Sequence, residues 1–244
     1  MKQSFVDTRH GKIHCLSAEN QSEVTLIFLH GIGSNTKAWK RTVGFIPDRF
    51  NILIVDFLGH GLSDAPRIEY SMDVQVECLE DVINAMKLKD YVFIGNSYGG
   101  WASCKYSINS TGKPMCIVLE DSAGLKREID DMQQNGTLDQ DMERVKHSAL
   151  MVSGNKEYVI DSILHSRNSL LSDKDLSMIT VPTLIIWGAE DEVINPKYAK
   201  VFNSYITGSE LSIIEGAGHT SHFSHAEQFM NLVIGFVDKV EESK

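Results

Sequence analysis

The residues with the clearest chemical potential surround Ser97. This serine lies within the motif G-N-S-Y-G at residues 95–99, between the apolar run 91–94 and a segment that can form a helix. A G-x-S-x-G motif between a strand and a helix predicts a nucleophile elbow, a tight turn that exposes the serine hydroxyl at the top of a sheet. Gly95 and Gly99 lack side chains that would clash in such a turn. Taken alone, the motif could also be a glycine-rich turn with a bystander serine.

A serine hydroxyl needs a base to remove its proton, and His219 is the preferred candidate among nine histidines. It follows the glycine-containing segment 215–218, which itself follows the apolar run 211–214. In an open parallel sheet, the loops at the carboxyl ends of the strands present the active groups. His222 and His225 are rivals, although we expect His225 to lie in the first turn of the last helix.

The base in turn needs an acceptor that fixes its tautomer and stabilises the imidazolium. Asp191 is the preferred acid because it follows the apolar run 183–187, and we expect Gly188 to give its loop backbone freedom. Asp121, which follows the run 115–119, is the alternative acid. A structural role as a loop or capping carboxylate is the other explanation for Asp191.

An oxyanion formed at Ser97 would need two hydrogen-bond donors. The backbone N–H of Tyr98, the residue after the nucleophile, is the first candidate. The second is the amide of Ile32, in a loop where Gly31 and Gly33 allow a close backbone approach. On its own, this loop is better explained as a simple glycine turn.

Apolar runs and helix signals alternate along the chain and would position these groups. The predicted strands comprise residues 5–8, 12–16, 24–29, 51–55, 91–94, 115–119, 183–187 and 211–214. Helices are predicted after Ser71, from about Tyr98, from Pro196 as first helical residue, and from a capping box that begins at Ser224. This alternation predicts the α/β class, with a mostly parallel, doubly wound sheet.

The segment 125–178 interrupts this rhythm. It is polar and contains helical fragments at 138–151 and 157–164, with no visible strand. We interpret it as a small helical cap inserted after the sixth strand. The predicted division is therefore a core of residues 1–124 and 179–244 and a cap of residues 125–178.

Composition limits the possible partners. The chain has 244 residues, is 42% hydrophobic and 23% charged, and carries a net charge of −10. These values are typical of a globular protein and disfavour binding to nucleic acid or to an anionic membrane surface.

The cysteines and metal motifs also limit the possible sites. The four cysteines are far apart in the sequence and no H-E-x-x-H motif is present, so we expect neither a zinc site nor a disulfide framework. No secretory signal or spanning segment is visible, so we expect a cytoplasmic protein; its oligomeric state is left open.

Five motifs together resemble the α/β-hydrolase family. They are His30–Gly33, the D-x-x-G-x-G-x-S segment 56–63, the elbow 95–100, the acid loop 187–191 and the base loop 216–219. They occur in the family's order, with serine before aspartate before histidine. The resemblance implies the α/β-hydrolase fold and a serine hydrolase that needs neither a cofactor nor a metal. It also implies a structural role for the segment 56–63.

The same resemblance implies a small-molecule ester or related acyl substrate. A carboxylesterase that cleaves small to medium esters through an acyl-enzyme is the preferred function. Relatives that use an aspartate nucleophile are disfavoured by Ser97. A carbon–carbon bond hydrolase of the meta-cleavage type, or a lyase, is the alternative on the same triad, although Thr220 stands where those enzymes typically have tryptophan. A ligand-binding receptor of this fold is a third possibility.

Overall fold

An eight-stranded sheet forms the centre of the computed structural model, which describes residues 1–152, 154–166 and 168–243. The strands are β1 Lys2–Thr8, β2 Gly11–Ala18, β3 Val24–Leu29, β4 Asn51–Val55, β5 Asp90–Asn96, β6 Cys116–Glu120, β7 Thr183–Gly188 and β8 Glu210–Ile214. Their spatial order is β1-β2-β4-β3-β5-β6-β7-β8. The pairs β1–β2 and β2–β4 are antiparallel and the other five pairs are parallel. The predicted mostly parallel sheet is therefore confirmed.

Helices cover both faces of this sheet. They are α1 Met72–Ala85, α2 Tyr98–Asn109, α3 Lys126–Asn135, α4 Leu138–Met151, α5 Glu157–His165, α6 Asp173–Ser177, α7 Lys197–Tyr205, α8 Ser221–Ser224 and α9 Ala226–Glu242. As predicted, Ser71 begins α1, because its hydroxyl accepts a hydrogen bond from the Val74 N–H. Within the described residues, none of these helices is long and apolar enough to cross a membrane.

The central strands are continuously apolar because both of their faces are buried. In β3, Ile27 and Leu29 belong to the core packed under α1 and α2. Leu26 and Phe28, which alternate with them, belong to the opposite core with Phe229 of α9. Successive side chains of a strand point to opposite faces, so a strand covered on both sides needs apolar residues throughout.

The segment 56–63 forms a buried turn organised by the Asp56 carboxylate. One oxygen accepts a hydrogen bond from the Thr36 N–H at 2.6 Å. The other accepts one from the Leu62 N–H at 2.9 Å and contacts the His14 Nδ1 at 2.7 Å. The carboxylate thus connects β2, the loop after β3 and the turn after β4, which agrees with the structural role that the resemblance implied.

Four helices, α3 to α6, lie between β6 and β7. The predicted helical fragments 138–151 and 157–164 correspond to α4 and α5. A parallel bridge joins Leu125, which precedes α3, to Leu171, which precedes α6. Two residues of the predicted cap, Ser153 and Arg167, lie outside the described residues. The function of this segment as a cap stays a prediction.

Two predicted helix starts were wrong. The Ser224 hydroxyl does not cap the last helix, because Ser224 ends α8 and its side chain bonds the Thr220 carbonyl and the His225 ring. His225 occupies the N-cap of α9 instead. Pro196 lies one residue before α7 rather than at its first position, and the Asn195 side chain accepts a hydrogen bond from the Lys197 N–H.

Two glycine substitutions should change the stability of the protein in opposite directions. A Cβ atom on Gly99 would lie 2.1 Å from the Leu29 carbonyl oxygen, a backbone atom that cannot move aside. We therefore expect Gly99→Ala to lower the free energy of unfolding by about 1–3 kcal/mol or more. A Cβ atom on Gly235, inside α9, would meet no described atom within 4 Å apart from its chain neighbours and the nearby backbone of its own helix. Gly235→Ala should therefore raise the free energy of unfolding by about 0.5–1 kcal/mol. Urea unfolding of both variants measures the two changes, and an undiminished stability of Gly99→Ala would contradict the steric argument.

Candidate active site

Ser97 lies on a strained turn between β5 and α2. Its φ of +52° and ψ of −109° are unusual for a residue with a side chain. The turn is possible because residues 95 and 99 are glycines. A Cβ atom on Gly95 would lie 2.4 Å from the Gly99 carbonyl oxygen, and one on Gly99 would overlap Leu29. The structure therefore contains the elbow that the motif predicted, and close backbone contacts explain its glycines.

The loop after β3 lies directly against this turn. A Cβ atom on Gly31 would be 3.5 Å from the Ser97 Cβ and 3.0 Å from the Asn96 Oδ1. Tyr98 is the first residue of α2, where backbone N–H groups have no partner within the helix. The structure thus brings the loop of Ile32 and the first residue of α2, Tyr98, next to Ser97; these are the two residues predicted to supply amide donors. Both residues line the same cavity as Ser97.

His30 holds this loop in place as a neutral ring. Its Nδ1–H donates to the Gly31 carbonyl at 2.7 Å, and its Nε2 accepts from the Phe57 N–H at 3.1 Å. The side chain is fully buried, and burial lowers its pKa. An uncharged imidazole with both nitrogens bonded is suited to fixing the loop rather than to exchanging protons.

The second glycine of the loop contacts the helices between β6 and β7. Gly33 has a φ of +71°, and a Cβ atom there would lie 2.4 Å from the Ala149 Cα in α4. The Asn155 side-chain amide donates to the Gly33 carbonyl at 2.5 Å and to the Ala149 carbonyl at 2.6 Å. The loop beside Ser97 is therefore positioned by α4 as well as by the sheet.

His219 and Asp191 form a hydrogen-bonded pair. The His219 Nδ1 lies 2.8 Å from the Asp191 Oδ2. The Asp191 Oδ1 accepts hydrogen bonds from the Val193 and Ile194 N–H groups at 2.8 and 3.0 Å. The Asp191 side chain is fully buried, whereas that of His219 is 18% exposed at the cavity. Because the His219 Nδ1 faces a carboxylate, it carries the ring proton, and Nε2 is the nitrogen that can accept a hydrogen bond.

Three close contacts to backbone atoms join the loops that carry these groups. A Cβ atom on Gly188 would lie 2.3 Å from the Gly218 carbonyl oxygen, so glycine is needed there for close approach. This differs from the expected role of Gly188 in backbone freedom. The Glu190 N–H donates to the Ala217 carbonyl at 2.9 Å. The Asn96 side-chain amide donates to the His219 carbonyl at 3.0 Å, which connects the elbow to the histidine loop.

Asp121, the alternative acid, lies beside the same pair in a different electrostatic state. Its Oδ1 accepts from the Gly188 N–H at 2.9 Å, and its buried Oδ2 has no hydrogen-bond partner among the described residues. Burial, together with the neighbouring Glu120 and Asp191 carboxylates, raises the pKa of Asp121 far above its usual range. The structure therefore places a neutral carboxyl at Asp121 near pH 7 and gives the contact with histidine to Asp191.

The described residues contain one group that could hold a metal ion, formed by Asp121, Asp191 and His219. Each offers one ligand atom, and these three atoms lie within 4.8 Å of one another. The contact between the His219 Nδ1 and the Asp191 Oδ2 has the length of a hydrogen bond, and a metal ion would have to replace it. We therefore interpret this group as a hydrogen-bonded cluster.

A second histidine–carboxylate pair lies nearby and was missed by the sequence analysis. The His222 Nδ1 is 2.7 Å from the Glu120 Oε2, while the Glu120 Oε1 accepts from the Ser221 hydroxyl and the His222 N–H. The His222 ring packs on Trp39 with a centroid distance of 4.2 Å. A glutamate ending the otherwise apolar β6 was the one available signal. His225, the remaining rival base, contacts the Ser224 hydroxyl at 2.9 Å.

These groups open onto a cavity of about 520 Å³. Ser97, His219 and His222 line it together with residues of α3 and α4, among them Ile129. The lining is mostly apolar with a few polar groups, which is typical of a small-molecule site.

Comparisons with known proteins point to one family. Residues 26–232 match the model of the alpha/beta hydrolase family. A 2-hydroxy-6-oxo-6-(2'-aminophenyl)hexa-2,4-dienoic acid hydrolase from Metapseudomonas resinovorans is 26% identical, over 96% of this chain and 90% of its own. A monoacylglycerol lipase from Rattus norvegicus is 25% identical, over 88% and 76%. The solved structure of an esterase from Exiguobacterium antarcticum has a TM-score of 0.80 at 22% identity, over 97% and 100%. The family match spans most of the sheet and includes the described residues that line the cavity, and the chain therefore belongs to the alpha/beta hydrolase family.

Proposed function

We propose that this protein is a serine hydrolase that cleaves carboxylic esters of small to medium size. Ser97 is the nucleophile, His219 the general base and Asp191 the acid that orients it. The observation that carries the proposal is the 2.8 Å contact between the His219 Nδ1 and the Asp191 Oδ2, at the cavity where Ser97 lies on its elbow. Membership of a family of hydrolases supports an enzymatic role on a small-molecule substrate.

The proposed reaction begins with proton transfer. The His219 Nε2 takes the proton from the Ser97 hydroxyl as the oxygen attacks the ester carbonyl carbon. Asp191 stabilises the imidazolium that forms, and its own charge is held by the Val193 and Ile194 N–H groups. The tetrahedral intermediate then collapses, and the alcohol leaves with the proton from His219. A water molecule activated by His219 releases the acid by the same steps.

The oxyanion of each tetrahedral intermediate would be bound by the Ile32 and Tyr98 amides. Removing one such donor in well-studied hydrolases costs about 3–4 kcal/mol of transition-state stabilisation. The donors are useful only if they are held before the charge develops. The close contact of Gly31 with Ser97 and the hydrogen bonds of His30 support such a fixed arrangement.

Carbon–carbon bond hydrolysis on the same triad is the second candidate. The observation in its favour is the 26% identity to the hexadienoic acid hydrolase over nearly the whole chain. The same serine, base and oxyanion donors would serve that reaction. The two candidates differ in substrate charge, since that relative's substrate is named as an acid. A ligand-binding role without turnover is disfavoured by the intact His219–Asp191 pair.

We also propose that residues 125–178 act as a cap that determines which substrates enter. Residues of α3 and α4 line the same cavity as Ser97, and Asn155 connects this segment to the loop at Gly33. Segments that cover an active site commonly control access and water exclusion. We retain a cytoplasmic location and the lack of a nucleic-acid partner as predictions from the composition.

Covalent labelling tests the nucleophile. A fluorophosphonate probe should add to Ser97, and peptide mapping by mass spectrometry should locate the adduct there, with loss of ester cleavage. Ser97→Ala should prevent both labelling and turnover. Ser103→Ala is the matched control, because the Ser103 hydroxyl is buried and bonded to the Gly99 carbonyl and should not react. An adduct on Ser103 or Ser107 with Ser97 unmodified would refute the assignment.

Two asparagine substitutions test the acid. In Asp191→Asn, the amide oxygen must remain where two backbone N–H groups donate, so the NH₂ group faces the His219 Nδ1 and favours the wrong tautomer. The expected loss in kcat is up to about 10⁴-fold, as in the best-studied triad. Asp121→Asn replaces a carboxyl that is already neutral and should cost less than about tenfold in kcat.

Steady-state kinetics on one activated ester, with unfolding curves as a check on folding, compare the two variants. The assignment of Asp191 fails if Asp121→Asn is severely impaired while Asp191→Asn remains close to the unsubstituted enzyme. In that case the acid would belong to β6 rather than to the loop after β7.

A further inference from the structure

Glu128 is a charged residue in an unexpected place. It lies in the first turn of α3 and is the one buried residue of that helix, with 6% of its surface exposed. Its side chain lines the same cavity as Ser97 and His219. Glutamate is seldom buried without a partner, so a carboxyl at this position points to an interaction with whatever fills the cavity.

The surroundings of Glu128 are themselves acidic. Among the described residues, its carboxyl has no hydrogen-bond or ion-pair partner. The charges that act on it are those of Asp191, Asp141 and Asp131, opposed by Lys197. Lys197 already forms an ion pair with another residue, because its ammonium group lies 2.7 Å from an Asp131 carboxylate oxygen. Burial first, and then the neighbouring carboxylates, raise the pKa of Glu128 to about 8.

The rest of the cavity supplies little positive charge. Arg144 is the one lysine or arginine among its described lining residues, and its guanidinium donates to the Asp141 carboxylate at 2.6 Å. Glu192, another lining residue, is acidic and exposed. Among the described residues, no free cation would therefore compensate a substrate carboxylate that meets Glu128. A substrate cation would instead find an unpaired acid in a region of low dielectric.

We propose that Glu128 is a specificity-determining residue that selects esters bearing a cationic group and rejects those bearing a carboxylate. This inference rests on the proposed esterase function and extends it to a class of substrate. Glu128 takes no part in bond breaking. It binds the charged end of the substrate while Ser97 attacks the carbonyl at the other end. The apolar remainder of the cavity accommodates the chain between them.

Three 4-nitrophenyl esters of equal chain length test the inference. Their acyl chains end in a trimethylammonium group, a neutral methyl ester or a carboxylate, and none of these groups titrates between pH 6 and 9. In the unsubstituted enzyme, kcat/KM should fall from the cationic to the neutral to the anionic ester. At pH 9 the ratio of cationic to anionic ester should reach about 100-fold. Glu128→Gln, which keeps the side-chain shape, should reduce this ratio at least about tenfold.

The pH dependence provides a second readout. Below its pKa of about 8, Glu128 is neutral, and above it the side chain is negative. The ratio of cationic to anionic ester should therefore rise between pH 7 and pH 9 in the unsubstituted enzyme and stay flat in Glu128→Gln. A pH effect on the chemical step itself changes kcat/KM for all three esters alike and cancels in the ratio. Glu143→Gln is the matched control, since it removes the same charge from an exposed position of α4 outside the cavity lining.

Each outcome has one meaning. Equal kcat/KM values for the three esters, or a ratio unchanged by Glu128→Gln, would overturn the inference and leave the esterase function intact. A ratio that falls equally in Glu143→Gln would also overturn it, because the effect would then come from net charge. Failure to cleave any of the three esters would refute the proposed function itself.

Discussion

Close backbone contacts at the carboxyl edge of the sheet are the constraint on which the site depends. Gly95, Gly99 and Gly188 lie where a Cβ atom would approach other backbone atoms to 2.1–2.4 Å. These contacts bring the elbow against β3 and join the acid loop to the histidine loop. Ser97 and His219 come from strands far apart in the sequence, and they share one cavity because those loops are packed together.

Hydrogen-bond donors, rather than residue type, distinguish the two aspartates beside His219. Asp191 receives two backbone N–H donors and faces the imidazole, so its charge is well supported. Asp121 receives one such donor and lies among other carboxylates in a buried position, which raises its pKa. Two identical side chains that follow neighbouring strands therefore lie in different electrostatic surroundings, and the one with two backbone donors is the one that faces the imidazole.

The pattern of apolar residues predicted the strands well because both faces of the central sheet are buried. The run 24–29 corresponds to β3 and the run 51–55 to β4. Some local signals were wrong, and some contacts lie beyond the reach of any local signal. Ser224 has the spacing of a helix cap, but it ends the preceding turn α8, and its hydroxyl bonds the Thr220 carbonyl and the His225 ring. The hydrogen bond from Asn96 to the His219 loop likewise joins residues too distant in the chain to be paired by a local pattern.

By itself, the sequence determined the α/β class, the elbow at Ser97 and a short set of candidate partners, because these follow from local spacing and strand order. The tertiary structure decided which carboxylate contacts which histidine: Asp191 faces His219, while Glu120 faces His222. It also decided that Glu128 enters the cavity. The physical reason is that pairing and burial depend on distances in space and on local dielectric, and neither is encoded in the order of neighbouring residues.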